Sequence, residues 1–202
     1  MKTILYLTSS IFGDGGQSSR LAAEFVAAQP GTRVIARDLA RNPVPHLDAE
    51  RFGAFLSKPE DRTPAQQRVL DESDALIAEL KQADTLVLGL PMYNFGVPSQ
   101  LKAWFDHVAR AGATFKYTDK GSAGLLTGKK AYVFAARGGL YAGTPKDTQT
   151  SYVRDFLAFL GIADVKFIYA EGLAIGEASK TESLAAAQRL LRSLAQPERI
   201  AA

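Results

Sequence analysis

Five short apolar runs punctuate the chain, at residues 3–8, 32–36, 85–90, 130–136 and 165–170. They are near-continuous and do not alternate with polar positions, which suits strands buried on both faces of a parallel sheet. Between them the apolar positions take up helical spacing. Leu101, Trp104, Phe105 and Val108 fall at i, i+3, i+4 and i+7, on one face of a helix entered at Pro98. Thr63 stands at a cap position before Pro64 with Gln66 as its reciprocal partner, and Val69, Leu70, Ser73, Leu76, Ile77 and Leu80 line the face that follows. Further helices are expected at 18–28, 149–160 and 181–194.

Strands alternating with helices through right-handed crossovers give a doubly wound α/β sheet with helices on both faces. Five strands match the flavodoxin-like order 2-1-3-4-5. No repeat, low-complexity tract or linker divides the chain, so 1–202 reads as a single domain. Residues 38–59, with Pro43, Pro45 and His46, read as a long excursion carrying a short helix, of the kind that lies over a site or a partner.

Composition removes several classes of function. The 202 residues are 47% hydrophobic and 22% charged, as in a chain that buries a sizeable core. The net charge of +3 is spread out, with no dense Lys/Arg run to grip a nucleic-acid backbone. There is no cysteine, which excludes disulfides, thiolate metal sites and thiol chemistry, so redox activity requires a bound cofactor. The apolar run at 4–7 is too brief for a signal sequence and no window is long enough to span a membrane, which makes the cytoplasm the expected location. His46 and His107 stand far apart without a carboxylate cluster or HExxH, so no metal site is expected, and no G-x-S-x-G elbow is present.

In such sheets ligands bind beyond the carboxyl ends of the strands, near the switch point, which directs attention to three loops. The first, SSIFGDGGQSSR at 9–20, offers the side chains of Ser9, Ser10, Gln17, Ser18 and Ser19 and a helix N-terminus to a phosphate dianion, with Gly13, Gly15 and Gly16 permitting close approach. It is neither G-x-G-x-x-G nor a Walker A loop, and a monophosphate needs neither. Read blandly, it is a polar turn with a serine cap. The second, PMYNFGVP at 91–98, sets Met92, Tyr93 and Phe95 around Asn94, an apolar platform with exposed amides for a flat ring; the bland alternative makes its aromatics core. In the third, Ala136, Arg137, Gly138 and Gly139 let the backbone pass a ring edge. There Arg137 or a line of N–H groups would meet negative charge, unless Arg137 is a surface ion-pair partner.

At these residues the chain resembles the FMN-dependent NADH azoreductases, a bacterial flavodoxin-like family related to NAD(P)H quinone reductases. The resemblance runs through SSI in the first loop, RDLARNPVPHLD at 37–48, TPAQQ at 63–67, the block from PMYNFGVP to AARGG at 91–139, and FLGIADVKFIYAEG at 159–172. It implies an FMN-dependent NAD(P)H oxidoreductase that reduces quinones and azo compounds by a ping-pong two-electron reaction through flavin N5. It also implies a homodimer, with which the exposed aromatic content expected of the helix at 100–110 is compatible.

Carried over by position, FMN contacts fall on Ser10, Gly16, Gln17 and Ser18 for the phosphate side. Met92, Tyr93, Asn94 and Phe95, with Ala136, Arg137, Gly138 and Gly139, hold the ring, and Tyr117 and Phe159 lie near the substrate. The family commonly has Ser where this chain has Gly16 and Ala136; the hydroxyls are lost but the backbone N–H groups remain. No residue is singled out as acid or base, and the sequence holds no feature that chooses NADH or NADPH. A flavodoxin-type electron carrier and a non-enzymatic flavin-binding protein are the alternative readings.

Overall fold

A computed structural model describes residues 1–195. In chain order the elements are β1 (Thr3–Thr8), α1 (Gln17–Ala27), β2 (Arg33–Asp38), α2 (Ala49–Leu56), α3 (Pro64–Gln82), β3 (Thr85–Pro91), α4 (Ser99–Val108), β4 (Phe115–Thr118), β5 (Gly121–Gly124), β6 (Lys130–Ala136), α5 (Thr148–Leu160), β7 (Asp164–Ala170) and α6 (Glu177–Ala195). The main sheet is parallel throughout and ordered β2-β1-β3-β6-β7. Once β4 and β5, which pair only with each other, are set aside, this is the expected 2-1-3-4-5 order.

All five apolar runs are strands, and their side chains divide between two cores. Leu5, Leu7, Leu88, Leu90 and Val133 pack on one side with Leu76, Ile77 and Leu80 of α3, Trp104 and Phe105 of α4, and Val153 and Leu157 of α5. Ile4, Val87, Phe134 and Ile168 face the other way, toward Leu21, Ala22 and Phe25 of α1 and Ala187 and Leu191 of α6. Successive strand residues point to opposite faces, so a strand covered by helices on both sides must be apolar at nearly every position. Each fully buried Leu or Phe contributes roughly 1.5–3 kcal/mol.

The caps behave as the sequence suggests at α3, where Thr63 and Gln66 form the reciprocal box. In two places the chain departs from expectation. The hairpin β4–β5 was not foreseen: its strands are largely exposed and carry polar residues, so no apolar period marks them. And α4 does not offer its aromatics to a partner, because Trp104 and Phe105 are fully buried on the face packed against the sheet.

Candidate functional site

A cleft of about 280 Å³ opens at the carboxyl ends of β1, β3 and β6. It gathers Ser10, Gly16, Gln17 and Ser18 from the first loop, Met92 and Tyr93 from the second, and Ala136, Arg137 and Gly138 from the third. A cavity of about 470 Å³ lies at the opposite end of the sheet, among Lys2, Ile4, Phe25, Lys130 and Tyr132. In doubly wound sheets it is the carboxyl end, where strand order reverses, that presents loop amides and helix N-termini to ligands. Size therefore does not decide between them.

The first loop brings helix donors to the cleft without supplying their acceptors. Gly16 is the cap residue of α1 and has no side chain to satisfy the first N–H groups of the helix, which lack intrahelical partners. Ser18 is fully buried, lines the cleft, and its Oγ has no hydrogen-bond partner. A buried hydroxyl without a partner is costly, and such groups mark places where a ligand or water completes the site. The helix can sit this close to the sheet because β3 has Gly89: a Cβ there would fall 3.2 Å from the Ser18 carbonyl oxygen. Gly16 is constrained in the same way, since a Cβ would fall 2.2 Å from Ser10 Oγ.

Ser10 and Tyr93 tie the first loop to the second. The Tyr93 hydroxyl lies 3.3 Å from Ser10 Oγ and accepts from the Ile11 N–H at 3.2 Å. Beyond Tyr93 the chain reverses through Asn94 and Phe95, both at positive φ (49° and 64°), and closes with reciprocal hydrogen bonds between Tyr93 and Gly96. Asn tolerates that region, but a phenylalanine there is unusual and strained. The turn is held from outside. Gln149, fully buried near the start of α5, donates through Nε2 to the Pro91 and Gly96 carbonyls at 2.9 and 2.8 Å, and Thr148 Oγ1 donates to the Phe95 carbonyl.

The third loop is zipped to the segment after β7. The carbonyls of Arg137, Gly138 and Gly139 accept from Leu173, Ala174 and Gly172, while the Gly138 and Gly139 N–H groups donate to nothing among the described residues. The guanidinium of Arg137, expected as a donor to a ligand, is instead buried and fully engaged. It pairs with Asp147 at 2.9 Å and Glu171 at 3.0 Å and donates to Thr150 Oγ1 and Gln149 Oε1. Glu171 also accepts from the Tyr141 and Ala142 N–H groups. Burial alone would raise the Asp147 carboxyl, but Arg137 and the Thr150 hydroxyl and N–H hold it below the usual carboxylate range. One cation bracketed by two carboxylates presents little net positive charge, so the Arg137 side chain is an ion-pair partner, but a buried one and not the surface one expected.

The remaining expected residues are spread more widely. Asn94, Phe95 and Gly139 flank the cleft without lining it, whereas Phe12 and Leu173 line it without having been singled out, as do Gly15 and Pro91, which the sequence placed in the first and second loops. Tyr117 is 78% exposed on the hairpin, and Phe159 packs on Phe115 at 4.4 Å; neither lines the cleft of its own chain. His107 is buried in α4, its Nδ1 3.0 Å from the Ala103 carbonyl, and burial lowers its pKa. The 38–59 excursion packs α2 along α3, joined by Arg51 and Glu72 at 2.7 Å, and contributes nothing to the cleft lining.

Residues 2–194 match the model of a protein family described as having the flavodoxin-like fold. The chain belongs to this flavodoxin-like family. Among its relatives is the FMN-dependent NADH:quinone oxidoreductase of Cellvibrio japonicus, 54% identical over 93% of this chain and 96% of that protein. Among solved structures of flavodoxin-like proteins, the azoreductase from Bacillus anthracis strain Sterne superposes with a TM-score of 0.88 at 25% identity, over 96% of this chain and 99% of that one. An FMN-dependent NADH-azoreductase from Bacillus anthracis strain Ames Ancestor, solved in complex with FMN, gives 0.85 at 25% identity over 97% and 100%.

Proposed function

We propose that the chain is an FMN-dependent NADH oxidoreductase acting on quinones and azo compounds, with FMN held in the cleft at the carboxyl end of the sheet. The single observation that carries this reading is that Ser18, a residue lining the cleft at the uncapped N-terminus of α1, has a buried Oγ without a hydrogen-bond partner. A phosphate dianion supplies the missing acceptor, and the helix dipole favours its charge. Ser10, Gly16, Gln17 and Ser18 hold the phosphate side. The apolar lining from Pro91, Met92, Ala136 and Leu173 suits a flat ring, with the unpaired Gly138 and Gly139 N–H groups as donors to its edge. The loss of a serine hydroxyl at Ala136 leaves those backbone donors in place. The names borne by a 54% identical relative and by the FMN complex support the same cofactor, donor and acceptors.

FMN held by these residues would supply two-electron redox chemistry through its N5, used in ping-pong order between a nicotinamide and an acceptor. The protein's part is binding, orientation and exclusion of water, and none of its side chains is assigned as acid or base. Ile11, Phe12, Phe95, Leu140 and Ile175, on the loops around the cleft, are large apolar side chains left exposed. Exposed apolar groups concentrated near a site mark a surface covered by substrate or by another protein. We read this one as the face of a homodimer, where the exposed Tyr117 ring serves the neighbouring subunit's site. None of the described helices is long and apolar enough to cross a membrane, and we place the enzyme in the cytoplasm.

Steady-state oxidation of NADH and NADPH with a benzoquinone and with an azo dye tests the assignment. Expected are turnover with both acceptors, parallel double-reciprocal plots, and preference for NADH. Flavin retained without nicotinamide turnover would leave the electron-carrier alternative instead.

A further inference from the structure

We infer that Gln149 is a positioning residue that sets the ring-binding half of the cleft by locking the loop after β3 to the loop after β6. The inference rests on the FMN reading above and goes beyond it, since Gln149 does not line the cleft. Its amide is used from both ends. Nε2 donates to the carbonyls of Pro91, the last residue of β3, and of Gly96, the closing residue of the Asn94–Phe95 turn, at 2.9 and 2.8 Å. Oε1 accepts from Arg137 Nε, in the loop after β6, at 3.3 Å. Side chains that offer two N–H donors and an acceptor in one plane are Asn and Gln, and here all of that capacity is spent between two loops.

The turn depends on this anchor for a physical reason. Asn94 and Phe95 both sit at positive φ, a conformation that a phenylalanine keeps only where its surroundings over-determine it. The carbonyls of Phe95 and Gly96 are drawn to Thr148 and Gln149, and those of Arg137, Gly138 and Gly139 to Leu173, Ala174 and Gly172. The N–H groups of Asn94, Phe95, Gly138 and Gly139 have no acceptor among the described residues. Gln149 thus fixes the spacing of two sets of free donors, while Asp147 and Glu171 hold Arg137 where Gln149 can reach it.

The test compares wild type with Gln149→Leu and Gln149→Glu by titrating flavin-free protein with FMN and with riboflavin, at a temperature where circular dichroism shows each to be folded. Gln149→Leu removes the side-chain donor to the Pro91 and Gly96 carbonyls and the acceptor for Arg137 Nε, and the expected loss is about tenfold for both flavins, because the defect lies on the ring side and not the phosphate side. The visible circular dichroism of the bound flavin should change as well. Gln149→Glu keeps the acceptor for Arg137 but removes the donors to the second loop, and should behave like Gln149→Leu. Wild-type affinity and an unchanged dichroic band in a folded Gln149→Leu protein would overturn the inference while leaving the FMN site standing. A loss seen with FMN but not riboflavin would overturn it too, and failure of the wild type to bind either flavin would instead remove the FMN reading and this inference with it.

Discussion

The loop after β1 and the loops after β3 and β6 border the same cleft but treat their polar groups in opposite ways. The first leaves donors open: an uncapped helix N-terminus and a buried Ser18 hydroxyl with no partner. The others are cross-braced, with a strained turn pinned by Thr148 and Gln149 and a buried Arg137 satisfied by four side chains. The difference follows the chemistry each half is built to meet. A phosphate dianion brings its own acceptors and strong charge, so a few waiting donors suffice. A neutral ring brings shape, and a site for shape must hold its own backbone in place before the ligand arrives.

The largest effect should come from breaking the braced half. Arg137→Met leaves Asp147 and Glu171, whose side chains are 7% and 13% exposed, without their cation. Removing one partner of a buried ion pair costs about 3–5 kcal/mol, and Tm should fall by on the order of 10 °C in thermal unfolding. A fall within the error of the scan would mean that the network does not brace these loops.

Asp147→Asn probes the same brace through pH. The folded carboxyl titrates below its ordinary value of 3.8, so its contribution is complete above that value and is lost as pH falls through the lower folded pKa. The variant should be less stable at neutral pH by about 1–2 kcal/mol, and its stability should fall less steeply than wild type's through that acid window, as followed by urea unfolding across pH. Parallel curves would assign the acid sensitivity to other groups.

The smallest stability effect and the sharpest contrast belong to Ser18→Ala in the open half. Deleting a partnerless buried hydroxyl should leave Tm unchanged or slightly raised, while FMN affinity drops about tenfold and riboflavin affinity stays near wild type. A fall in Tm without a change in affinity would make Ser18 part of the core packing and not of the site.

How much of this was legible in the sequence depended on whether a residue's partners lay nearby in the chain. The five strands could be read because strands buried on both faces must be apolar throughout, and the α3 cap because Thr63 and Gln66 are three residues apart. The hairpin Phe115–Gly124 escaped because both its strands face largely outward. Ser10, Gly16, Gln17 and Ser18 are singled out by the resemblance, whereas the loop read alone offers Ser9, Ser10, Gln17, Ser18 and Ser19 to a phosphate or equally a polar turn with a serine cap. The braces could not: Asp147 is 10 residues from Arg137 and Glu171 is 34, and only the pairing of β6 with β7 brings Glu171 within reach. Gln149 looked like any polar residue in the first turn of a helix. The aromatics of α4 show the converse error, since the period that put Trp104 and Phe105 on one face already said that the face is buried.

The most direct test of the cleft as an FMN site is the visible spectrum of the purified protein after incubation with FMN and exhaustive dialysis. If the cleft holds FMN, the flavin spectrum is retained, bleaches under anaerobic NADH and returns on adding a quinone or an azo dye. A protein that emerges colourless from dialysis, or whose flavin is untouched by either nicotinamide, would contradict it.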